Sequence, residues 1–174
     1  MAREGCADCD SSANKGGVIC SSFEVLSGLV LDEKEFMEEK TTLVDEILDT
    51  IKARSQDEAK LLLQSHGKSY LTQVSEEISL KINQFADQLL DYLMPLTLSS
   101  DPKDPLIRCL LNYSLPLLKA KYSQRLLKDV PDVHKKAIIA SFLAQRLVYR
   151  RGLDWAPSID EVLPLIISDP GLVD

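Results

Sequence analysis

The chain has 174 residues, is 45% hydrophobic and carries a formal net charge of −7, a size and composition that suit one globular domain. The acidic balance argues against a nucleic-acid binder and against a protein of anionic membrane surfaces, because both need a basic face. No apolar run approaches the roughly 18–20 residues of a membrane span, and residues 1–17 lack the apolar core of a signal peptide.

Residues 1–17 are predicted to form an N-terminal stub that ends in a loop at Gly16 and Gly17. Neither glycine has a Cβ atom, so the backbone can take a positive φ or lie flat against a ligand. Asn14, just upstream, offers a hydrogen-bond donor and an acceptor. Paired glycines in front of a helix are also common punctuation, and the residues alone favour a structural turn.

The apolar residues that follow recur at helical spacing and predict a helix from about Gly17 to Leu31. Val18 and Ser21 are three residues apart, so they share a face and present one apolar contact and one hydroxyl. The leading N–H groups and the helix dipole favour a carboxylate or a phosphate at this end. Gly28, inside the helix, should weaken it or mark a close packing point.

Hydrophobic periodicity predicts further helices along the rest of the chain, and no segment alternates for long enough to predict a sheet. These helices cover residues 32–53, 55–66, 71–93, 106–115, 116–127, 131–151 and 159–167. Asp32 is predicted as an N-cap, and capping boxes at 55–58 and 158–161 each predict that a new helix starts there. The helix at 71–93 carries one apolar stripe and should end before Pro95. Trp155 is predicted to be a packing anchor. The predicted fold class is mainly α, a multi-helical array of about six to eight helices.

One loop, residues 99–105, is rich in Ser, Asp and Pro and separates two helical halves. We therefore predict a helical C-terminal domain over residues 18–174, with a subdivision at 99–105. Pro131 suits the start of a helix, and the cations and glycine at 150–152 suit its end.

Other groups capable of chemistry are better explained structurally. Cys6-x-x-Cys9 has the spacing of half a zinc site, but no second pair follows and no histidine lies at ligand spacing, so no metal is predicted. Free thiols in a reducing cytoplasm are the better interpretation. Arg146 and Arg150 are four residues apart and can grip an anion, although a basic helix end paired with surface acids is the commoner case.

The segment at residues 11–24, SSANKGGVICSSFE, resembles the Asn-x-Gly-Gly-Val-x-x-Ser motif of glutamate dehydrogenases and their amino-acid dehydrogenase relatives. It is most similar to the large NAD-specific enzymes, in which a Ser-Ser-Ala-Asn-Lys lead-in replaces Asn-Ala. A second resemblance is the proline-led helix at 131–151, which ends in Val-Tyr-Arg-x-Gly as in the C-terminal segment of the same enzymes.

The resemblance implies a role for each residue of the motif. Asn14 would lie near the nicotinamide end of NAD. Gly16 and Gly17 would let the cofactor approach the backbone closely. Val18 and Ser21 would line the pocket for the amino-acid side chain, with Ser21 hydrogen-bonding the distal carboxylate of glutamate.

The resemblance also implies that the chain is a C-terminal portion of such an enzyme, a fragment of its nucleotide-binding domain plus a helical tail. The parent reaction converts L-glutamate, NAD and water to 2-oxoglutarate, ammonia and NADH. The family's catalytic lysine and Gly-rich nucleotide-binding turn have no counterpart in these 174 residues. No catalytic residue is therefore assigned, and the isolated chain is expected to be inactive.

The implied partners are L-glutamate or 2-oxoglutarate and the upstream catalytic domains, which would hold most of the NAD. The full-length form is expected to be a homo-oligomer in the cytoplasm. The alternative, from another class of protein, is a non-catalytic helical module for protein interaction or oligomerisation, in which the glycine pair is only a turn.

Overall fold

The computed structural model describes residues 15–64, 70–155 and 158–168. Over these residues the chain forms eight helices and no strand, which confirms the mainly α fold class. The helices are α1 (Lys15–Val30), α2 (Glu33–Gln64), α3 (Leu71–Leu93), α4 (Pro105–Tyr113), α5 (Pro116–Lys121), α6 (Ser123–Lys128), α7 (Asp132–Arg151) and α8 (Ile159–Ser168).

The chain divides into two compact units, residues 1–77 and 78–174, and the division falls within α3. The domain boundaries predicted from the sequence, after residue 17 and at 99–105, stay predictions. The loop predicted at the two glycines differs from the structure, because the chain is helical from Lys15, the first described residue. Gly16 and Gly17 therefore lie inside α1, and neither has a positive φ.

In the first unit, α1 packs against α2 across a short turn. The turn is closed by a reciprocal capping box, the predicted N-cap of α2. The Glu35 backbone N–H donates to Asp32 Oδ1 at 2.8 Å, and the Asp32 N–H donates to Glu35 Oε2 at 3.0 Å. Two N–H groups that no helical carbonyl can reach are satisfied in this way.

The predicted helix start at residues 55–58 is wrong, because α2 runs without interruption from Glu33 to Gln64. The sequence between 50 and 60 contains neither proline nor glycine, so each residue extends an existing helix more cheaply than it nucleates a new one. Asp57 instead pairs with Lys60 on the helix surface at 3.1 Å. The predicted end of the helix at His66 and Gly67 lies outside the described residues.

Gly28 is exposed in α1, and a Cβ added there would meet nothing within 4 Å. It therefore marks no close packing point. Gly28→Ala should raise the free energy of unfolding by about 0.5–1 kcal/mol, because alanine loses less backbone entropy in a helix. Urea denaturation followed by circular dichroism measures the change.

The control for that variant is Gly152→Ala. Gly152 follows α7 with φ of 82°, a conformation that strains any residue with a Cβ atom, so this variant should lose about 1 kcal/mol or more. A Gly28→Ala variant less stable than the original chain would contradict an unstrained, open helical site.

The apolar stripe predicted on α3 is buried along its whole length and ends before Pro95, as the sequence indicated. Its members are Val74, Ile78, Ile82, Phe85, Leu89 and Leu93. In the second unit, α4 packs against α7, and Tyr113 meets the Phe142 ring edge-on with centroids 6.4 Å apart. Trp155 makes a similar contact with Phe85 at 6.1 Å, in agreement with its predicted role as a packing anchor.

Proline or aspartate stands at the start of α4, α5 and α7 in the second unit. The Asp104 carboxylate caps α4 by accepting from the N–H groups of Leu106 at 2.9 Å and Ile107 at 3.3 Å. Pro131 takes the N-cap position of α7, one residue before its predicted place in the helix. The capping box predicted at the start of α8 is present, since the Ser158 N–H donates to Glu161 Oε2 at 2.8 Å.

Two lysines at the start of α7 are buried, which the sequence did not indicate. Lys136 Nζ donates to the Met94 carbonyl at 2.7 Å, just beyond the end of α3. Lys135 Nζ donates to the Leu127 carbonyl in the last turn of α6 and to Asp132 Oδ1 at 3.0 Å. Each ammonium group thus donates to a carbonyl oxygen near a helix end. The helix offers no backbone N–H to carbonyl oxygens at this position.

Candidate functional site

The outward face of α1 carries the two predicted pocket residues. Val18 is 61% exposed, and Ser21, three residues later, is exposed beside it. At about 100° of rotation per residue the two side chains diverge by about 60°, so both reach the same side of the helix. Gly17 is also exposed and leaves the backbone next to them uncovered. The structure therefore brings these three residues together on an accessible surface.

The opposite face of α1 fixes the orientation of this surface. Phe23 is fully buried, and Leu26 and Val30 are 2% and 3% exposed. The Arg54 guanidinium, from α2, lies 5.4 Å from the centroid of the Phe23 ring, a cation–π distance. Because the buried stripe packs inward, the side chains of Val18 and Ser21 must point away from the first unit.

The other two predicted cofactor-binding positions do not join this face. Gly16 is half-buried on the inner side, where an added Cβ would lie 3.8 Å from Ile51 Cγ2 of α2. Its small size thus serves the packing of two helices. Asn14 lies outside the described residues.

Two side-chain hydrogen bonds order the polar groups near the outward face. Ser22 Oγ donates to the Val18 carbonyl at 2.8 Å, so its proton is committed to the helix itself. Cys20 Sγ donates to Glu24 Oε1 at 3.8 Å, and Glu24 lies about 120° around the helix from Val18. Glu24 lies three residues after Ser21, about 60° around the helix from it, and the Cys20 thiol occupies one of its carboxylate oxygens.

The other candidate groups take structural positions. Arg146 stacks over the Phe142 ring at 5.1 Å, and Arg150 is exposed in the last turn of α7. Cys109 is fully buried, and burial raises the pKa of its thiol to about 12, against the lowering effect of the Arg146 and Arg108 cations. It is therefore a protonated core residue at neutral pH. Cys6 and Cys9 lie outside the described residues.

A cavity of about 380 Å³ lies in the second unit, beside α4 and α5. Its lining is basic, and the sequence patterns did not identify its residues as a site. They are Pro102, Lys103, Arg108, Leu111, Asn112 and Lys119. The spacing of Arg108 and Asn112 on one helical face was the only signal of this site in the sequence.

Comparison with curated proteins finds relatives over most of the chain. It is 29% identical over 166 residues to the NAD-specific glutamate dehydrogenase of Saccharomyces cerevisiae and 32% identical over 160 residues to glutamate dehydrogenase 2 of Dictyostelium discoideum. It is 30% identical over 159 residues to the NAD-specific glutamate dehydrogenase of Neurospora crassa. These matches cover 82–83% of this chain. This chain is homologous to one segment of the NAD-specific glutamate dehydrogenases.

The glutamate dehydrogenase resemblance carried by the two sequence motifs is thus confirmed by matches that extend far beyond them. The chain spans only 14–15% of the length of these relatives. No family model and no solved structure matches the chain. None of the described helices is both long enough and apolar enough to cross a membrane.

Proposed function

We propose that this chain is the C-terminal segment of an NAD-specific glutamate dehydrogenase and forms one wall of its substrate pocket. The reaction is the oxidative deamination of L-glutamate to 2-oxoglutarate and ammonia with reduction of NAD. The observation that carries the proposal is the outward pairing of Val18 with Ser21 on α1, exposed on a helix whose other face is packed.

The chemistry of this pair suits the side chain of glutamate. Val18 offers an apolar surface for the two methylene groups, and the Ser21 hydroxyl can donate to the distal carboxylate. Gly17 lets a ligand lie close to the backbone, since no Cβ stands in its way. Asn14 and Gly17 are the residues we propose for the NAD side of the pocket, with most of the cofactor held by domains outside this sequence.

This wall cannot complete the reaction by itself. Amino-acid oxidation needs a general acid or base within hydrogen-bond reach of the substrate nitrogen and carbon and a hydride acceptor held in place. The described residues form helices alone and include no βαβ unit of the kind that binds a dinucleotide. We therefore propose the upstream catalytic domains as partners, in a cytoplasmic homo-oligomer.

Ser21→Ala tests the proposal in the enzyme that contains this segment. The variant should lower kcat/KM for L-glutamate by about 10- to 100-fold, because a hydrogen bond to a charged group contributes about 1.5–3 kcal/mol. Oxidation of L-norvaline, which lacks the distal carboxylate, should change less than threefold. Steady-state NADH formation with both substrates gives the two numbers.

Ser22→Ala is the matched control. It removes the same hydroxyl one residue later, from a side chain that already donates to the Val18 carbonyl, and should leave the preference for glutamate over norvaline unchanged. Equal losses on both substrates with Ser21→Ala would show that Ser21 does not recognise the carboxylate.

A second candidate function is a non-catalytic helical interaction module, and one observation favours it. The first unit leaves many large hydrophobic side chains exposed. They are Val18, Val25, Leu29, Met37, Val44, Leu48, Leu63, Tyr70 and Leu71. Val18, Val25 and Leu29 share one face of α1, and an exposed apolar stripe of this kind is typical of a surface that another polypeptide covers. The gene sequence upstream of the Met1 codon separates the two candidates, since only the enzyme requires a nucleotide-binding domain in the same reading frame.

A further inference from the structure

The basic cavity of the second unit has no role in the proposed pocket wall, whose residues all lie in the first unit. Three of its described lining residues are cations, and none is a carboxylate. This is a local reversal of charge in a chain whose formal net charge is −7. A concave basic surface raises the local concentration of anions.

The cavity is built by the bend between α4 and α5. Arg108 and Asn112 are four residues apart on α4, and both are half-buried. Pro116 opens α5, and the turn before it returns the chain so that Lys119 Nζ donates to Asn112 Oδ1. This hydrogen bond holds one cation over the cavity.

The acidic residues next to the cavity are engaged with the backbone. The Asp104 carboxylate accepts from two N–H groups at the start of α4. Asp101 Oδ1 accepts from the Lys103 N–H at 2.9 Å, which fixes the loop that carries the Lys103 side chain. A local backbone donor thus holds each of these two carboxylates in place.

We propose that this cavity binds a small organic polyanion, a metabolite with at least two phosphate or carboxylate groups. Its volume of about 380 Å³ falls in the range of small-molecule sites, about 300–1,000 Å³. Arg108 can engage one anionic group through its planar fork, and the two lysines provide point charges for a second. Leu111 and Pro102 supply an apolar wall for a carbon skeleton.

Calorimetric titration of the purified 174-residue chain with pyrophosphate tests the proposal. Binding should be saturable, should weaken as salt is raised, because exposed charges are screened, and should be about tenfold weaker in the double variant Lys103→Glu, Lys119→Glu. Both lysines are exposed, so the variant is expected to keep the fold, which circular dichroism checks.

The control is Lys40→Glu, Lys52→Glu, which changes the net charge equally on exposed positions of α2. It should leave pyrophosphate affinity within twofold of the original chain. Absence of saturable binding up to 10 mM ligand, on the order of the weakest metabolite affinities, would overturn the proposal. So would equal weakening in the two double variants, since binding would then follow net charge alone.

A parallel titration with citrate distinguishes the two sources of anionic groups. Tighter binding of pyrophosphate assigns the site to phosphate metabolites, and tighter binding of citrate assigns it to polycarboxylates. Either result supports a polyanion site if the lysine variant weakens it. The proposal stands apart from the glutamate dehydrogenase function, because neither Val18 nor Ser21 takes part in this titration.

Discussion

Phe23→Ala should destabilise the first unit by about 3–5 kcal/mol, the cost of removing a buried aromatic side chain and leaving a cavity. Phe23 is fully buried between α1 and α2, and the Arg54 guanidinium lies over its ring at 5.4 Å. The loss includes this cation–π contact, which contributes about 0.5–1 kcal/mol near a surface.

Hydrogen exchange of the α1 amides is the measurement of choice, because two units can unfold separately and one denaturation curve then mixes both. Protection of the amides between residues 23 and 30 should fall by a factor of about 100 or more. The second unit supplies an internal reference, since exchange in α7 should stay unchanged.

Val25→Ala is the matched control on the same helix. Val25 is 55% exposed on the opposite face, and alanine has the higher helix propensity, so stability should change by no more than about 0.5 kcal/mol. A Phe23→Ala loss as small as this would mean that α1 is not anchored through its inner face. The same anchor aims Val18 and Ser21 outward, so under the proposed function Phe23→Ala should also lower the rate of glutamate oxidation.

Stability should fall steeply above pH 9 because of Cys109. The thiol of the unfolded chain releases its proton near pH 9.0, whereas burial in the folded chain raises the pKa of the thiol to about 12. Below pH 9 both states keep the proton and the folded state is at full stability. Between pH 9 and pH 12 only the folded state keeps it, so each pH unit lowers the free energy of unfolding by about 1.4 kcal/mol.

Urea denaturation at pH 8, 9, 10 and 11 measures this effect for the original chain and for Cys109→Ala. Cys109→Ala should be less stable than the original chain by an amount that does not depend on pH, because the contacts of the sulfur atom are lost. The variant has no thiol at this position to ionise. The stability of the original chain should therefore decline toward that of the variant by about 2–3 kcal/mol between pH 8 and pH 11. Ionisations that the two proteins share cancel in the comparison.

Cys20→Ala serves as the control for thiol removal, because Cys20 is only half-buried in α1. It should keep the pH profile of the original chain. Parallel profiles for the original chain and Cys109→Ala would refute the account, since the ionisation of a buried thiol would then make no contribution to alkaline unfolding.

Local patterns in the sequence determined most of the helices. The stripe of α3 and the stop at Pro95 follow from spacing within a few residues, and the structure confirms both. The caps at Asp32 and Ser158 could also be predicted from the sequence, because a capping box joins residues only three positions apart. The failure at residues 55–58 shows the limit of such patterns: a capping box marks a helix start only where something ends the helix before it.

The candidate pocket wall was half-determined by the sequence. Spacing alone put Val18 and Ser21 on one face of a helix, and the resemblance to the family motif led to the proposal that this face contacts the substrate. Which face would stay open depended on the packing of Phe23 against α2. The same packing separated the two glycines, since Gly17 is exposed and Gly16 lies against Ile51.

Features that join distant parts of the chain appeared only in the tertiary structure. Lys136 donates to a carbonyl 42 positions away, and the cavity unites a loop, α4 and the end of α5. A sequence pattern reports the conformational preference of neighbouring residues, which acts within about one helical turn. Burial depends instead on which helix faces meet. The sequence by itself therefore determined the helices and the family motif, while packing between helices decided the burial of Cys109 and the two lysines and the basic lining of the cavity.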